Sequence, residues 1–438
     1  MLIYEDPVLL DFVRGDATGL SIPAHREALR AAGEAFLTAA FRKFGSLSAD
    51  NCIVRITHFE SFPGGNSGHK LFLSVEYARA EPGLHTELFV KFSRDFDDAF
   101  RDRRRQELEA EVRLATLSRL PGFPIHVPAA CFADFHSESG TGLLITERIA
   151  FGNGVIEPLH PKCMDHELTE PLSYYRATVT ALARLAAAHK SGLLSPQVDA
   201  LFPFNSESAA AEIPIPYDED QLRERVAHYA AFAAGCPQLL PANVTSPPFI
   251  ACFEREALRF RRHEARIKHF LHADRDYVAL CHWNTNIDNA WFWRDSSGAL
   301  QCGLLDWGMV RQMNVAYALW GGVCGASLEI WDRHLDELLT LYTSELCAHG
   351  GPHLDVATLK LHLNLSVSML GLALLMEAPS LVVSRLPDIR SAADPLDPIL
   401  HKNETVRSFL HVFTAFLNLW QTQDFGLSLD RLLARSAT

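Results

Sequence analysis

The spacing of apolar and polar positions changes character twice along this chain. Residues 23–43, opened by Pro23, carry Leu29, Ala32, Phe36, Ala39 and Phe41 near helical spacing and predict a helix. From 52 to 95 the pattern turns short and β-rich. Ile53-Val54-Arg55-Ile56, the run from Leu71 to Tyr77 and the run from Thr86 to Phe92 read as strands. Pro63-Gly64-Gly65-Asn66-Ser67-Gly68 and Glu81-Pro82-Gly83 punctuate them. A charged helix is expected over about 100–119, with Leu108, Val112, Ala115 and Leu117 on its apolar side. Leu143-Leu144-Ile145-Thr146 is a further strand, and beyond about residue 170 helical spacing dominates, beginning with 173–189. A β-rich island at 278–307 interrupts it.

This order predicts an α+β chain: a helical lead-in over 1–50, a sheet-rich N-lobe over 51–150 and a mainly helical C-lobe over 151–438. Ala150-Phe151-Gly152-Asn153-Gly154 marks the change of lobe, and about 193–270 reads as an insertion on the helical side. The apolar stretch from Leu361 to Met376 contains His362 and Asn364 and falls short of the ~20 residues of a span. It is expected to be a buried core helix, and no membrane partner is expected.

Composition narrows the class. The 438 residues hold 40 Lys+Arg against 53 Asp+Glu, a net charge of −13, and are 48% hydrophobic. That supports a globular core and excludes disordered, collagen-like and disulfide-miniprotein chains. The acidic balance argues against broad nucleic-acid binding, which needs many phosphate-neutralising cations. A single nucleotide needs far fewer. Nine cysteines without CxxC spacing, and a start at Met1-Leu2-Ile3-Tyr4 lacking signal-peptide character, lead to an expected cytoplasmic address.

The densest chemistry lies in Cys281-His282-Trp283-Asn284-Thr285-Asn286-Ile287-Asp288-Asn289 and in Leu304-Leu305-Asp306-Trp307-Gly308. A strand-flanked loop with a His, an amide and an Asn, followed by Asp-aromatic-Gly, fits phosphoryl transfer. That reaction has a charged transition state and needs oxygen ligands that fix Mg²⁺ across the phosphates. Asn289 and Asp306 are the natural pair, with His282 bracing the loop. Upstream, Gly64, Gly65, Asn66, Ser67 and Gly68 can bring backbone N–H groups close to phosphates. Lys91 lies in an apolar strand, where an amine is costly unless paired. Glu107, Glu109 and Glu111 are candidate partners, and Glu111 best matches the face of Val112 and Ala115. Glu147 ends a strand leading to the segment where an adenine would sit.

With these motifs in this order, and Leu185-Ala186-Ala187-Ala188-His189 closing a helix between them, roughly residues 50–345 resemble the aminoglycoside phosphotransferase and choline kinase branch of the protein-kinase-like superfamily. The resemblance implies a bilobal protein-kinase-like fold with a small antiparallel-sheet N-lobe and a large mainly helical C-lobe. It also implies ATP with Mg²⁺, and phosphorylation of a hydroxyl on a small molecule. Lys91 would hold the α- and β-phosphates, Glu111 would position Lys91, Asn289 and Asp306 would hold Mg²⁺, and Asn284 would orient the acceptor. The family's catalytic loop usually reads His-Gly-Asp, the Asp accepting the hydroxyl proton. Here Trp283 and Asn284 take the second and third places. An amide orients a hydroxyl but takes no proton, and loss of a general base typically costs ~10²–10⁴-fold. Asn314 stands near where the family often has a structural Asp, and Asp288 is expected to point away from the metal. Two competing readings follow: a nucleotide-binding pseudokinase, and a kinase-like enzyme that transfers AMP.

Other patterns carry less. His263 and His269 are six positions apart and cannot share one Zn²⁺ from one helical face. Gly152-Asn153-Gly154 lacks the third glycine of a dinucleotide fingerprint. Arg101, Arg103, Arg104 and Arg105 sit beside Asp95, Asp97 and Asp98 and read as a solvated helix start.

Overall fold

The β-rich alternation at 53–92 builds one antiparallel sheet. The computed structural model describes residues 11–65 and 67–435, so Asn66 and the first ten residues lie outside the described residues. The described chain forms two units: residues up to Phe151 together with Gly303–Val310, and Gly152–Cys302 together with Arg311 onward.

In the first unit β1 (Phe12–Arg14) pairs with β2 (Ser21–Pro23) and is followed by α1 (Arg26–Phe44), β3 (Ile53–Ser61), β4 (Lys70–Tyr77) and β5 (Glu87–Phe92). Then come α2 (Ala99–Asp102), α3 (Glu107–Leu117), β6 (Ala130–His136) and β7 (Thr141–Glu147). The five-stranded sheet has the order β3-β4-β5-β7-β6. Period-two alternation sends Leu71, Leu73, Leu88, Val90 and Phe92 to one face, where they bury against Leu29, Leu37 and Phe41 of α1. The opposite face carries Ala133, Phe135 and Leu144, covered by Leu108, Val112 and Ala115 of α3. Lys91 falls between Val90 and Phe92 and pairs in register with Leu144, which places it on the α3 face. Helix α1, which falls in the stretch expected as a lead-in, is thus one cover of the sheet.

Two expected boundaries move. Pro23 belongs to β2, and α1 starts at Arg26 because the His25 side chain accepts the Ala28 N–H. The single charged helix over 100–119 is two. Asp98 caps α2 by accepting from Phe100 and Arg101 N–H groups, and Arg94 holds Asp102. The chain re-enters helix at Glu107.

The second unit contains α4 (Pro171–Lys190), α5 (Val198–Leu201), α6 (Ser206–Ala211), α7 (Glu219–Gly235), α8 (Ala242–Thr245), α9 (Pro247–Arg262) and α10 (Glu264–Ala273). The β-rich island supplies β8 (Val278–Cys281), β9 (Ala290–Arg294), β10 (Leu300–Leu304) and β11 (Arg311–Asn314). Helices α11 (Val315–Val323), α12 (Leu328–Ala348), α13 (Val356–Leu374), α14 (Ala378–Arg385), α15 (Pro398–His401), α16 (Glu404–Thr422) and α17 (Phe425–Ala434) complete it. An antiparallel-sheet unit followed by a mainly helical unit makes this an α+β chain. Residues 193–270 are built into the helical unit: Phe253 and Phe260, both fully buried, meet the Trp420 ring at 4.8 and 4.9 Å. Helix α13 is long and apolar enough to cross a bilayer, yet most of it is buried against α11, α12, α16 and α17. Its polar groups are satisfied inside the protein: His362 Nδ1 meets Asn314 Nδ2, and Asn364 donates to Ser428 Oγ.

Candidate active site

In the sheet unit, β5 and α3 bring a lysine and a glutamate together from 20 positions apart. The Lys91 ammonium lies 3.0 and 2.9 Å from the two Glu111 oxygens and 2.9 Å from Asp306 Oδ1. Glu111 is buried, whereas the Asp306 side chain is half exposed. Burial by itself would lower the Lys91 pKa, but Asp306 and Glu111 outweigh it and hold the ammonium firmly charged. Burial lifts the Glu111 carboxyl, Lys91 pulls it back, and Asp306 adds to the lift. Asp306 has φ of 59°, a left-handed conformation that costs an L-residue energy and recurs at functional turns. The Trp307 indole N–H donates to the Leu304 carbonyl at 3.0 Å and fixes that turn.

The glycine-rich loop precedes β4. Gly68 has φ of 54°, and a Cβ there would lie 1.8 Å from the Phe92 carbonyl oxygen, so no other residue fits. Gly64 and Gly65 are also in positive φ. Ser67 contributes its carbonyl, which accepts from Lys70 Nζ at 2.9 Å. Lys70 is a second buried lysine beside the cluster, absent from the sequence expectations. Its position directly after the glycine loop in an otherwise apolar strand is the signal that would have found it.

The Glu147 carboxylate accepts from Ala129 N–H at 2.8 Å and lies 3.3 Å from His85 Nδ1, so its side chain is engaged within the sheet unit.

In the helical unit, β8 and β11 pair, with Cys281 opposite Arg311 and Val278 opposite Asn314, and the loop from His282 to Asn289 leaves this ladder. His282 is fully buried and its Nδ1 accepts from Asn284 N–H at 3.3 Å. Three amides then organise the loop. Asn286 Nδ2 donates to Asn284 Oδ1 at 2.9 Å, and Asn289 Nδ2 donates to the Asn284 carbonyl at 2.8 Å. Asn289 thus commits its nitrogen to the loop, and its carbonyl oxygen is the atom suited to a hard cation. Cys324 Sγ, 3.2 Å from Asn286 Oδ1, steadies the network.

Helix α11 packs on the same loop through its small residues: a Cβ on Gly321 would lie 1.4 Å from the Trp283 carbonyl oxygen. Asn314, expected as a softened structural Asp, caps α11 instead, accepting Ala316 N–H at 2.9 Å. Asp288 is within electrostatic reach of Lys162 and Asp165, which precede α4. Burial, reinforced by Asp288, pushes the Asp165 carboxyl up to about 8. For Lys162 burial alone would lower the pKa, and Asp288 with Cys324, Cys163 and Glu404 raises it.

Among the described residues, no group of three or more His, Cys, Asp and Glu gathers as a metal centre.

No family profile matches the chain, and no curated protein does. Among solved structures, it is similar to a microcompartment-associated aminopropanol kinase at 12% identity over 89% of this chain and 98% of that one, with a TM-score of 0.43. It is similar to a choline/ethanolamine kinase family protein of Mesorhizobium loti at 16% identity over 90% and 98% of the two chains, TM-score 0.38. An aminoglycoside phosphotransferase of Streptomyces rimosus in complex with ADP and streptomycin matches at 15% identity over 71% and 92%, TM-score 0.34. Likeness at this level assigns no substrate.

Proposed function

We propose that this chain is an ATP-dependent phosphotransferase acting on a hydroxyl of a small molecule in the cytoplasm. The observation that carries the reading is the Lys91 ammonium held between Glu111 and Asp306 within 3.0 Å. An amine fixed and charged in this way, beside a glycine-rich loop, is built to receive a polyanion. In each unit the residues divide the work. Glu111 positions Lys91, Lys91 binds phosphate oxygens, and Asp306 supplies a carboxylate for Mg²⁺. In the helical unit Asn289 supplies an amide oxygen for the cation, and Asn284, braced by His282, orients the acceptor hydroxyl. Mg²⁺, when bound, would neutralise charge on the phosphates.

A specific observation favours a second reading. Asn284 cannot take a proton, and its Oδ1 is already engaged by Asn286 Nδ2. A chain that binds nucleotide without turning it over, a pseudokinase, fits that arrangement. Incubation with Mg·ATP and a panel of small alcohols, following ADP, AMP and phosphate, separates the readings. ADP formed only with an acceptor supports phosphotransfer. Saturable nucleotide binding without turnover under any acceptor selects the pseudokinase, and AMP transferred to an acceptor selects a nucleotidyl transferase.

A further inference from the structure

Strands β4 and β5 run antiparallel with Lys70 directly opposite Lys91. Cross-strand partners share a face of the sheet, so two amines rise side by side from neighbouring strands. Their surroundings differ. Lys91 is matched by two carboxylates, whereas the partner of Lys70 Nζ among the described residues is the neutral carbonyl of Ser67, at 2.9 Å. Lys70 is 8% exposed, and an ammonium has three N–H donors to satisfy. Burial and the neighbouring charge of Lys91 both work against its protonated form, opposed by Asp306 and Glu111. An apolar side chain would serve the free fold better at such a position. The amine also lies under the glycine loop: a Cβ built on Gly65 would come within 2.1 Å of Nζ.

We infer that Lys70 is a second polyphosphate-binding lysine, whose ammonium leaves the Ser67 carbonyl for the phosphate lying under the glycine loop while Lys91 holds the phosphates beside it. The inference rests on the nucleotide reading above and adds a residue to that site. It makes the loop and the strand after it one device. With nucleotide absent, Lys70 ties the loop down through Ser67. With nucleotide present, the anion replaces that carbonyl and the buried charge gains an opposite partner. If the phosphate under the loop is the outermost one, as this inference has it, ATP depends on Lys70 more than ADP does.

The test is calorimetric titration of the full chain with Mg·ATP and with Mg·ADP, comparing wild type, Lys70→Met and Lys70→Arg. Lys70→Met is expected to weaken ATP binding by about 10- to 100-fold and ADP binding by less, with Lys70→Arg intermediate. The melting temperature of free Lys70→Met is expected at or above that of wild type, which a merely structural lysine would not give. If wild type binds neither nucleotide, the nucleotide reading falls and this inference falls with it. If wild type binds both and Lys70→Met keeps its ATP affinity within about twofold, the nucleotide site stands and the role of Lys70 is overturned. A measurement on the unaltered chain guards against a misfolded variant. An acyl phosphate of ATP transfers its acyl group to an adjacent amine, forming an amide and releasing ATP, and peptide mass spectrometry locates the amide. Acylation of both Lys70 and Lys91, suppressed by excess Mg·ATP, supports the inference; acylation of Lys91 without Lys70 overturns it.

Discussion

Lys91 meets two carboxylates that differ in environment, and the difference separates stability from activity. Glu111 is buried, so removing its cation strands a charge in the interior. Lys91→Met is expected to cost roughly 3–5 kcal/mol in denaturant unfolding near neutral pH. The cost shrinks as acid protonates Glu111. Asp306 is half exposed, and its pairing contributes little to folding. Asp306→Asn, which keeps a side chain tolerated at positive φ, is expected to cost less than about 1 kcal/mol while abolishing turnover. Residue 284 tests the loop of the helical unit. Asn284→Asp keeps an oxygen for the Asn286 amide to bond and adds a proton acceptor. Its turnover is expected to exceed wild type by up to about 10²–10⁴-fold. Equal rates in wild type and variant would show that proton removal is not limiting.

At the scale of elements, α11 and the loop it packs on are one construction. Gly321→Ala would ordinarily favour the helix by roughly 1 kcal/mol. Here the added methyl meets the Trp283 carbonyl, which is backbone and cannot rotate away. The steric term wins: the variant is expected to lose about 1–3 kcal/mol and most of its turnover, read by thermal unfolding and an ADP assay. Which elements were legible follows from how they are buried. Strands β4 and β5 were readable from their short β-rich runs between turn signals. Strand β6 is buried along nearly its whole length, shows no clean period, and was missed. The break between α2 and α3 was invisible because their charged residues continue across it. Asp102 serves Arg94 there, a tertiary pairing that spacing does not encode. Lys91 and Glu111 were legible because a lone amine in an apolar strand requires a partner and helix phase selects one. Lys70 was passed over although the same argument applied to it. The Glu147 contacts with Ala129 and His85 come from other strands and turns, which spacing along the chain does not encode.

The whole molecule carries a net charge of −13, while its sheet unit sets Lys70 directly opposite Lys91. Its pH response should come from the helical unit. Burial and the nearby charge of Asp288 push the Asp165 carboxyl up to about 8, from an ordinary value of 3.8. A folded pKa above the unfolded one means that the folded state holds the proton more tightly. That contribution is complete below about pH 3.8 and is lost as pH rises through about 8. Asp165→Asn, which cannot ionise, is therefore expected to gain in melting temperature relative to wild type from pH 5 to pH 8, read by thermal scans across that range. A constant offset would contradict the buried, protonated carboxyl. The central claim is phosphoryl transfer from ATP to a hydroxyl, and phosphorus NMR of Mg·ATP incubated with the full chain and a panel of small alcohols reads it most directly. The account expects the γ-phosphate signal of ATP to be replaced by equal amounts of ADP and a new phosphomonoester, with no change when Asp306→Asn is used. Nucleotide signals broadened by binding but unconverted with every acceptor, or conversion to AMP, would contradict it.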